Sequence, residues 1–366
     1  MNIGERLKIA RNAIGYTLEK ASHESGIGQS SISEFENDKR EPKFSQLSKL
    51  AEVYRKTVEF FLNDEPFIEE VMLWRDKPDE GQRTKIEAEF RKLCEQYRRL
   101  EILTDEVKET KLPQLDVSRE EFDYRQASKL AERFQRDFIL GDIPSASLKQ
   151  ILEENFYVKI FHLSSHGSSI STLSDHFGAA ILLNKDSKLW RRNFDLAHEL
   201  FHLLTWKIFR INGARDEFHE YEEKLANAFA SRLLLPTDII KDKIEALISK
   251  KRQVSIEALD DIAREFGVSV DALLWRMLYL YNKPVDEIEK YIEQAQKIRT
   301  KRPLRRSDEP DELPERYCSL AIRALREGKL SLMQFAKYTG ISYRKAEEYL
   351  TDDEDFTDEK ISISVA

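Results

Sequence analysis

The stretch "FDLAHELFHLL", residues 194–204, decides how the central part of this chain is interpreted. It places His198 and His202 four positions apart, so both imidazoles leave the same helix face one turn apart. Two imidazole nitrogens in that arrangement can bind one metal ion at about 2.0–2.1 Å. Glu199 lies on the flank of this face, where a carboxylate can take a proton from an activated water. The spacing predicts a zinc-dependent hydrolase, and the alternative is an amphipathic core helix that happens to contain two histidines.

A third ligand is needed to complete such a site. Ile208 stands six residues after the second histidine, where one large protease class has a third histidine. The other source is a carboxylate on the next predicted helix, "EEKLANAFASRLLL" (222–235), where Glu222 and Glu223 are both candidates. Glu223 shares a helix face with Asn227, whose amide can hydrogen-bond a ligand histidine and orient it. This partner helix favours a metal site over a plain core helix.

A hydrolase of this kind also needs a hydrogen-bond donor for the oxyanion of its transition state. His219 and Tyr221 are candidates because they lie between the two predicted helices, although both could be ordinary surface residues. The strand predicted at "FGAAILLNK" (177–185) could pair with an extended segment beside the site. This pairing favours a peptide over a small amide as the substrate.

The motif helix, followed by "E-x-x-A-N-x-F-A" and "LLLP", resembles the ImmA/IrrE family of metallopeptidases over roughly residues 125–290. The resemblance implies that His198, His202 and Glu223 are the metal ligands and that Glu199 is the general base. Zn²⁺ is the expected metal and Mn²⁺ is the alternative. The resemblance also implies regulated, selective cleavage of a protein in stress responses or mobile elements.

The N-terminal stretch "TLEKASHESGIGQSSISEFENDKREP", residues 17–42, resembles the helix-turn-helix of the Cro/repressor (XRE) family. Thr17 is a preferred N-cap residue for the first helix, and Gly26 allows the tight turn after it. The next helix, "QSSISEFE", can then lie in the major groove of DNA. The residues expected to read bases or contact phosphates are Gln29, Ser30, Ser31, Ser33, Asn37, Lys39 and Arg40.

Operator DNA is therefore the expected partner of the N-terminal module. A homodimer is expected as well, because one such module reads only a short half-site. Acidic residues stand close to the proposed contact helix, which leaves a helical domain for protein contacts as the alternative. The acidic residues are Glu34, Glu36 and Asp38, and the predicted core beneath the helix is Ile32, Phe35, Leu47 and Leu50.

Two positions depart from the families that these segments resemble. Phe201 stands directly before His202, where the ImmA/IrrE family often has glycine, so its ring is expected to narrow or block the cleft. Leu18 stands where the XRE family often has a glutamine that touches the DNA backbone. Neither departure removes a predicted metal ligand.

Composition sets outer bounds on the function. A chain of 366 residues is long enough for two or three domains. The net charge of −8 argues against a protein that coats nucleic acid non-specifically, but it permits one DNA-reading module. No apolar run suggests a membrane span or a signal peptide, and Cys94 and Cys318 lie far apart. The expected location is cytoplasmic, with no membrane partner.

The predicted fold class is multidomain and mainly α. Four consecutive segments are expected. They are an all-α helix-turn-helix domain at 1–65, a linker and helical connector at 66–118, an α+β zincin-like peptidase domain with a small sheet at 119–295, and a helical domain with an acidic tail at 296–366. "RDKPDEGQR" (75–83) is interpreted as a linker, and "SSHGSSISTLSDH" (164–176) as a separator between two strands.

Two later stretches, 255–278 and 329–350, each predict a helix, a glycine turn and a second helix. Both lack the "EFENDKREP" segment that follows the N-terminal pair. The first is assigned to the peptidase region and the second to an accessory helical domain. Contact with DNA by either pair has no support in the sequence.

The preferred function is a DNA-binding transcriptional regulator with a zinc peptidase domain that cleaves a partner repressor or this chain itself. One alternative is a non-catalytic DNA-binding regulator whose metal is structural or sensed. Another is an antitoxin-like protein that binds a protein partner. Glu199 favours catalysis, because a structural zinc site is closed by four ligands and does not need a base.

Overall fold

A computed structural model of the protein divides into two compact units whose segments alternate along the chain. The first unit comprises residues 1–65, 88–108 and 313–366, and the second comprises residues 66–87 and 109–312. The structure describes residues 2–56, 58–62, 71–113, 115–165, 167–209, 220–251, 254–281, 284–299 and 310–351.

The N-terminal part of the first unit is built from five helices. They are α1 (Ile3–Ala13), α2 (Leu18–Ser25), α3 (Gln29–Glu36), α4 (Phe44–Val53) and α5 (Val58–Leu62). Thr17 caps α2 by accepting a hydrogen bond from the backbone N–H of Lys20 at 3.2 Å. Gly26 ends this helix in the left-handed conformation, with φ of 67°. Burial confirms the predicted core of Ile32, Phe35, Leu47 and Leu50.

The long helix α6 (Glu80–Leu103) contributes its second half to the same unit, together with α16 (Glu315–Arg326), α17 (Leu332–Thr339) and α18 (Tyr343–Thr351). Lys56, which follows α4, donates to Glu95 on α6 at 3.0 Å. Arg316 on α16 donates to Glu101 on α6 at 2.7 Å. Helix α6 therefore supports both the N-terminal and the C-terminal groups of helices.

A four-stranded sheet lies in the second unit, with strands in the order β1-β3-β4-β2. The strands are β1 (Leu73–Trp74), β2 (Lys159–Leu163), β3 (Ser169–Ser174) and β4 (Gly178–Asn184). Strand β3 pairs antiparallel with β1 and β4, whereas β2 pairs parallel with β4. Strand β4 is therefore an inner strand with both sides paired.

This topology corrects three predictions. The separator contains a strand, β3, whose inward-facing residues are small and polar rather than apolar. The segment interpreted as a linker directly follows β1, which is an edge strand of the sheet. The segment "FGAAILLNK" cannot receive an extended substrate, because β2 and β3 already occupy both of its sides.

The other elements described in the second unit are helices. They are α7 (Tyr124–Asp137), α8 (Pro144–Glu154), α9 (Leu189–Leu204), α10 (Trp206–Phe209), α11 (Glu220–Leu234), α12 (Thr237–Lys251), α13 (Ile256–Glu265), α14 (Val270–Tyr281) and α15 (Val285–Arg299). Helix α9 packs on β3 and β4, and α11 packs on both α9 and α7. The two helices predicted to hold the site are thus neighbours, and one apolar core runs beneath them.

The mainly α, multidomain fold class is confirmed, including the small sheet of the central region. The four consecutive domain boundaries remain a prediction. Among the residues that the structure describes, no helix is long and apolar enough to cross a membrane.

Candidate metal centre

Helix α9 presents its histidines and glutamate to the interior. His198, Glu199 and His202 are all buried, between β3 on one side and α11 on the other. The apolar residues of the helix pack into the core below and fix its rotation. Burial of three titratable side chains on one turn is costly unless they are paired or bind an ion.

Glu223 on α11 brings a carboxylate to both histidines. Its Oε2 lies 3.0 Å from Nε2 of His198, and its Oε1 lies 3.1 Å from Nε2 of His202. The two Nε2 atoms are 3.2 Å apart. Of the two glutamates that the sequence offered as third ligand, the structure therefore places Glu223 with the histidines.

The other ring nitrogen of each histidine has its own partner. Nδ1 of His198 lies 3.2 Å from Oδ1 of Asn227, and Nδ1 of His202 lies 2.8 Å from Oε1 of Glu222. Both partners are acceptors, so each Nδ1 carries the hydrogen and donates it. The lone pair of each Nε2 is then directed toward the other histidine and Glu223, as metal binding requires.

The electrostatics of the two histidines differ although they are neighbours. Burial lowers the pKa of His198 to about 4. Burial also opposes the charged form of His202, but the carboxylates of Glu222 and Glu223 outweigh it and raise the pKa of His202 to about 10. The pKa of Glu223 is lowered, because its two histidine partners outweigh its own burial. The centre therefore favours a positive charge between these side chains.

The two carboxylate oxygens of Glu199 have different surroundings. Ser169 on β3 donates from its hydroxyl to Oε1 at 2.6 Å. The second oxygen, Oε2, is buried and makes no hydrogen bond of standard geometry within the described residues, although the Ser171 hydroxyl also lowers the pKa of this carboxylate. Burial raises the pKa of Glu199 to about 7. A carboxylate with this pKa can both accept and release a proton near neutral pH.

Arg75 joins the two helices that carry the ligands. One nitrogen of its guanidinium, Nη1, contacts Asp195, which lies one turn before Glu199 on α9. The other, Nη2, donates to Oδ1 of Asn227 on α11 at 3.2 Å. The same oxygen faces Nδ1 of His198, so the arginine also fixes which end of the Asn227 amide is the acceptor. Arg75 is thus a positioning residue that acts on His198 through Asn227.

These side chains suit a bound divalent cation. Two imidazole lone pairs cannot face each other at 3.2 Å unless a proton or a cation lies between them. Four ligands at about 2.0–2.1 Å in a tetrahedron lie about 3.3 Å apart, close to the separations found here. Within the described part of the chain, these three residues form the one group with metal-ligand geometry. The nitrogen and oxygen donors fit Zn²⁺, and they also allow Mn²⁺.

Phe201 does not enter the cleft, which corrects the expectation that it narrows or blocks the site. Its ring is fully buried in the core and packs against the rings of Phe122 and Phe229, with centroids 5.8 and 5.6 Å away. It also lies edge-on to the ring of His202 at 5.8 Å. The aromatic ring therefore supports the ligand from below.

The structure describes one of the two candidate oxyanion donors, Tyr221. Tyr221 lies in the first turn of α11, with its side chain 42% exposed and its ring edge-on to Tyr124 at 5.9 Å. His219 lies outside the described residues. A role for either residue in stabilising an oxyanion remains a prediction.

The predicted DNA-contacting residues lie on α3 and in the segment that follows it. Exposed positions are Gln29, Ser30, Asn37, Lys39 and Arg40, and half-buried positions are Ser31 and Ser33. Asn37 donates from Nδ2 to the backbone oxygen of Ser33 at 2.7 Å, which ties the turn to the end of α3. The first of these residues lie at the N-terminus of α3.

The acidic residues near α3 are all engaged within the module. Glu36 is buried and forms a two-point ion pair with Arg11, at 2.6 and 2.9 Å. Glu34 pairs with Arg40 at 3.4 Å, and Asp38 accepts from the backbone of α1 at 3.2 Å. Ion pairs within the module therefore partly neutralise the negative charge near α3, which would otherwise repel DNA phosphates.

Comparison with known proteins agrees with both parts of this description. Residues 153–278 match the family described as IrrE N-terminal-like domain, and residues 7–61 match the family described as Helix-turn-helix. The chain is 37% identical over 62 residues to the HTH-type transcriptional regulator ImmR of Bacillus subtilis (strain 168). That alignment covers 17% of this chain and 49% of the regulator.

The protein therefore combines two domain classes in one chain. It carries an XRE-type helix-turn-helix domain at its N-terminus and a domain of the ImmA/IrrE metallopeptidase family in its centre. Both resemblances found in the sequence are confirmed. The aligned part spans about half the length of the curated relative.

The sequence analysis did not predict the roles of three residues around the candidate metal centre. Glu222 was considered only as a ligand, whereas it orients His202. Ser169 and Arg75 stand in stretches interpreted as a separator and a linker. Their partners are distant in sequence, so no local spacing could have revealed them.

Proposed function

We propose that this protein is a DNA-binding transcriptional regulator whose central domain is a zinc-dependent peptidase. One observation carries the peptidase part. Two histidines and one glutamate converge on a common point, and a buried carboxylate oxygen of Glu199 has no other partner beside them. With Oε1 held by Ser169, Oε2 has its lone pairs available for a water molecule.

His198, His202 and Glu223 hold the metal in this proposal. When bound, Zn²⁺ supplies Lewis acidity, which polarises the peptide carbonyl and lowers the pKa of water. Glu199 accepts the proton of the attacking water at Oε2 and transfers it to the leaving amine. Ser169 keeps the carboxylate in place through Oε1. Asn227 and Glu222 accept from Nδ1 of the two imidazoles and hold them so that each Nε2 faces the proposed metal position.

The proposed substrate is a protein, either a partner repressor or this chain itself. A metallopeptidase joined to a DNA-binding domain can change transcription by removing a repressor that occupies the same operator. His219 and Tyr221 are the proposed oxyanion donors. Cytoplasm is the proposed site of action, because the operator is there.

The N-terminal domain is proposed to bind operator DNA through Gln29, Ser30 and Ser31 at the start of α3, where exposed polar side chains can reach base edges. Phosphate contacts are assigned to the exposed segment that follows. The remaining proposed contacts are Ser33, Asn37, Lys39 and Arg40. A homodimer would give two half-sites.

The alternative of a purely structural or sensory metal is disfavoured by Glu199. A structural site would be closed by a fourth protein ligand, and a base held beside three ligands would have no use there. The buried, unpaired Oε2 is also costly to folding, as a functional site often is.

Metal content of the purified protein tests the peptidase proposal directly. Wild type, His202→Ala and Glu199→Gln are compared by mass spectrometry, each after exposure to Zn²⁺ or to Mn²⁺. We expect about one zinc per chain in wild type, retention in Glu199→Gln and loss in His202→Ala. Absence of both metals from wild type would refute the metal site. Equal metal in wild type and His202→Ala would refute the ligand assignment.

A further inference from the structure

The last three helices that the structure describes, α16 to α18, repeat the caps and turns of the N-terminal helix-turn-helix. Ser331 caps α17 by accepting from the backbone N–H of Gln334, just as Thr17 caps α2. Both capped helices contain 8 residues, and each ends at a left-handed glycine nine positions after its cap. Gly26 has φ of 67° and ψ of 17°, and Gly340 has φ of 69° and ψ of 13°.

The helix that follows the turn also starts in register. Helix α3 begins three residues after Gly26, and α18 begins three residues after Gly340. Equivalent side chains are buried in the two modules. Position four after the cap is Ala21 or Phe335, and position fifteen is Ile32 or Ala346, each almost fully buried. A turn of fixed geometry with buried residues on both helices fixes the angle between those helices.

The turn that ends the preceding helix matches as well, although α1 packs mainly on α3 whereas α16 packs mainly on α17. Helices α1 and α16 each end two residues before a left-handed glycine, Gly15 or Gly328. In both places the glycine N–H bonds the carbonyl three residues earlier, at 2.9 and 3.0 Å. The next N–H bonds the carbonyl five residues earlier, at 3.1 and 2.9 Å. One additional residue between Gly328 and Ser331 is the difference between the two connections.

We propose that α16–α18 is a second helix-turn-helix that binds duplex DNA through the N-terminal half of α18, so that one chain reads two half-sites. The side chains at the positions of Gln29, Ser30 and Ser31 are Tyr343, Arg344 and Lys345. All three are exposed, with Tyr343 exposed to 52%.

The side chains of Tyr343, Arg344 and Lys345 have the chemistry of a nucleic-acid contact. Arginine and lysine bind phosphates and the acceptor atoms of guanine, and a tyrosine hydroxyl contacts phosphate. Ser342 caps α18 through the backbone N–H of Lys345 at 3.3 Å, which leaves the first turn of the helix ordered.

Acidic residues on the second turn of α18 do not contradict this assignment. Glu348 occupies the position that Glu34 occupies on α3, so both contact helices carry an acid at the same place. Glu347 takes the position of Ser33, where a carboxylate can accept a hydrogen bond from the cytosine amino group. The second module would therefore read a different half-site from the first.

Both modules rest on the same helix. Lys56 and Glu95 fasten the N-terminal module to α6 at 3.0 Å, and Arg316 and Glu101 fasten the C-terminal module to it at 2.7 Å. Tyr317 of α16 adds an edge-on contact with Tyr97 of α6 at 5.4 Å. A shared support keeps two reading helices in one compact unit, as a dimer does for two separate chains.

The test uses the full-length protein and duplexes selected by it from a random pool. Affinity is measured at several salt concentrations for wild type and Arg344→Ala/Lys345→Ala. The double substitution Arg133→Ala/Arg136→Ala is the matched control, because it removes two exposed arginines from α7 in the other unit. We expect about tenfold weaker binding or more for the α18 variant, and a salt slope smaller by about 2. The control should bind like wild type.

Nuclease footprints separate the two modules. The α18 variant should lose protection over one half-site only, and Gln29→Ala/Ser30→Ala should lose the other. Arg344→Lys/Lys345→Arg should restore the salt slope, because both charges are kept. An α18 variant with the affinity and footprint of the control would overturn the second module, and it would leave the proposed N-terminal contacts standing. Loss of binding in the α18 variant alone would support the second module and remove the N-terminal assignment.

Discussion

The metal centre and the surface of α3 were both indicated by short sequence motifs, but they are held in place in different ways. At the metal centre, His198, His202 and Glu199 are buried, and each has a second residue that fixes its orientation. On α3, Gln29 and Ser30 are exposed at the helix terminus. Geometry at the buried site is therefore set by folding, whereas geometry at the surface is completed only by contact with a partner. Substitutions should affect stability and metal binding at the first, and affinity alone at the second.

The largest effect is expected for Phe201→Ala in the aromatic core below the ligands. Truncation of a fully buried phenylalanine should lower the free energy of unfolding by about 3–5 kcal/mol. All four tryptophans belong to the same compact unit, so urea unfolding followed by tryptophan fluorescence reports on it. Tyr279→Ala, at a position 74% exposed in that unit, should change the free energy by about 0.5 kcal/mol or less. Similar losses for both variants would contradict the described packing.

Arg75→Met should come next, because it removes the donor that orients Asn227 and contacts Asp195. We expect zinc affinity to fall by about 10–100-fold, as for other residues that position a metal ligand. Competition with a chromogenic chelator measures the change, and Arg133→Met is the exposed control. Combining Arg75→Met with Asn227→Ala should add little to the loss from Asn227→Ala alone. Full additivity of the two losses would show that Arg75 does not act through Asn227.

A smaller effect is expected for Gln29→Ala at the start of α3. Binding to a duplex selected by the protein should weaken by about tenfold, with relaxed base preference at one position. Fluorescence anisotropy with single-base variants of that duplex measures both. Zinc content should not change, since the residue lies in the other compact unit. A uniform loss over all duplexes would instead identify Gln29 as a phosphate contact.

The smallest effect is expected for Lys39→Ala, at an exposed position after α3. Removal of one phosphate contact should weaken binding to all duplexes by a similar few-fold factor and reduce the salt slope by about 1. Affinity measured against salt concentration is the readout. An unchanged slope would remove Lys39 from the contact surface.

Local periodicity predicted those parts of the fold whose determinants lie close together in the sequence. The four-residue spacing of His198 and His202 and the shared face of Glu223 and Asn227 were enough to name side chains that the structure brings together. The cap at Thr17 likewise predicted the start of a helix correctly to within one residue. Each of these features depends on one helix turn.

Long-range pairing was not predictable in the same way. Strand β3 carries serines on its inner face because one of them binds Glu199, and this polar pattern resembled a loop. Strand β1 is only two residues long, so it is identified by its pairing with β3 rather than by a pattern in its own sequence. The direction of the Phe201 side chain depends on its packing against three rings, those of Phe122, Phe209 and Phe229, which the spacing within α9 does not reveal.

Arg75 limits how freely the metal centre can be moved between proteins. The region that matches the IrrE-like family begins at residue 153, whereas the guanidinium that joins α9 to α11 comes from a separate stretch before α6. A gene segment that encodes the matched region alone would carry the three proposed ligands and the proposed base, but not Arg75. The matched region therefore lacks one of the residues that position the candidate metal centre. Any exchange of the domain has to bring the strand around Leu73 and Trp74 with it, or find another cation to replace Arg75.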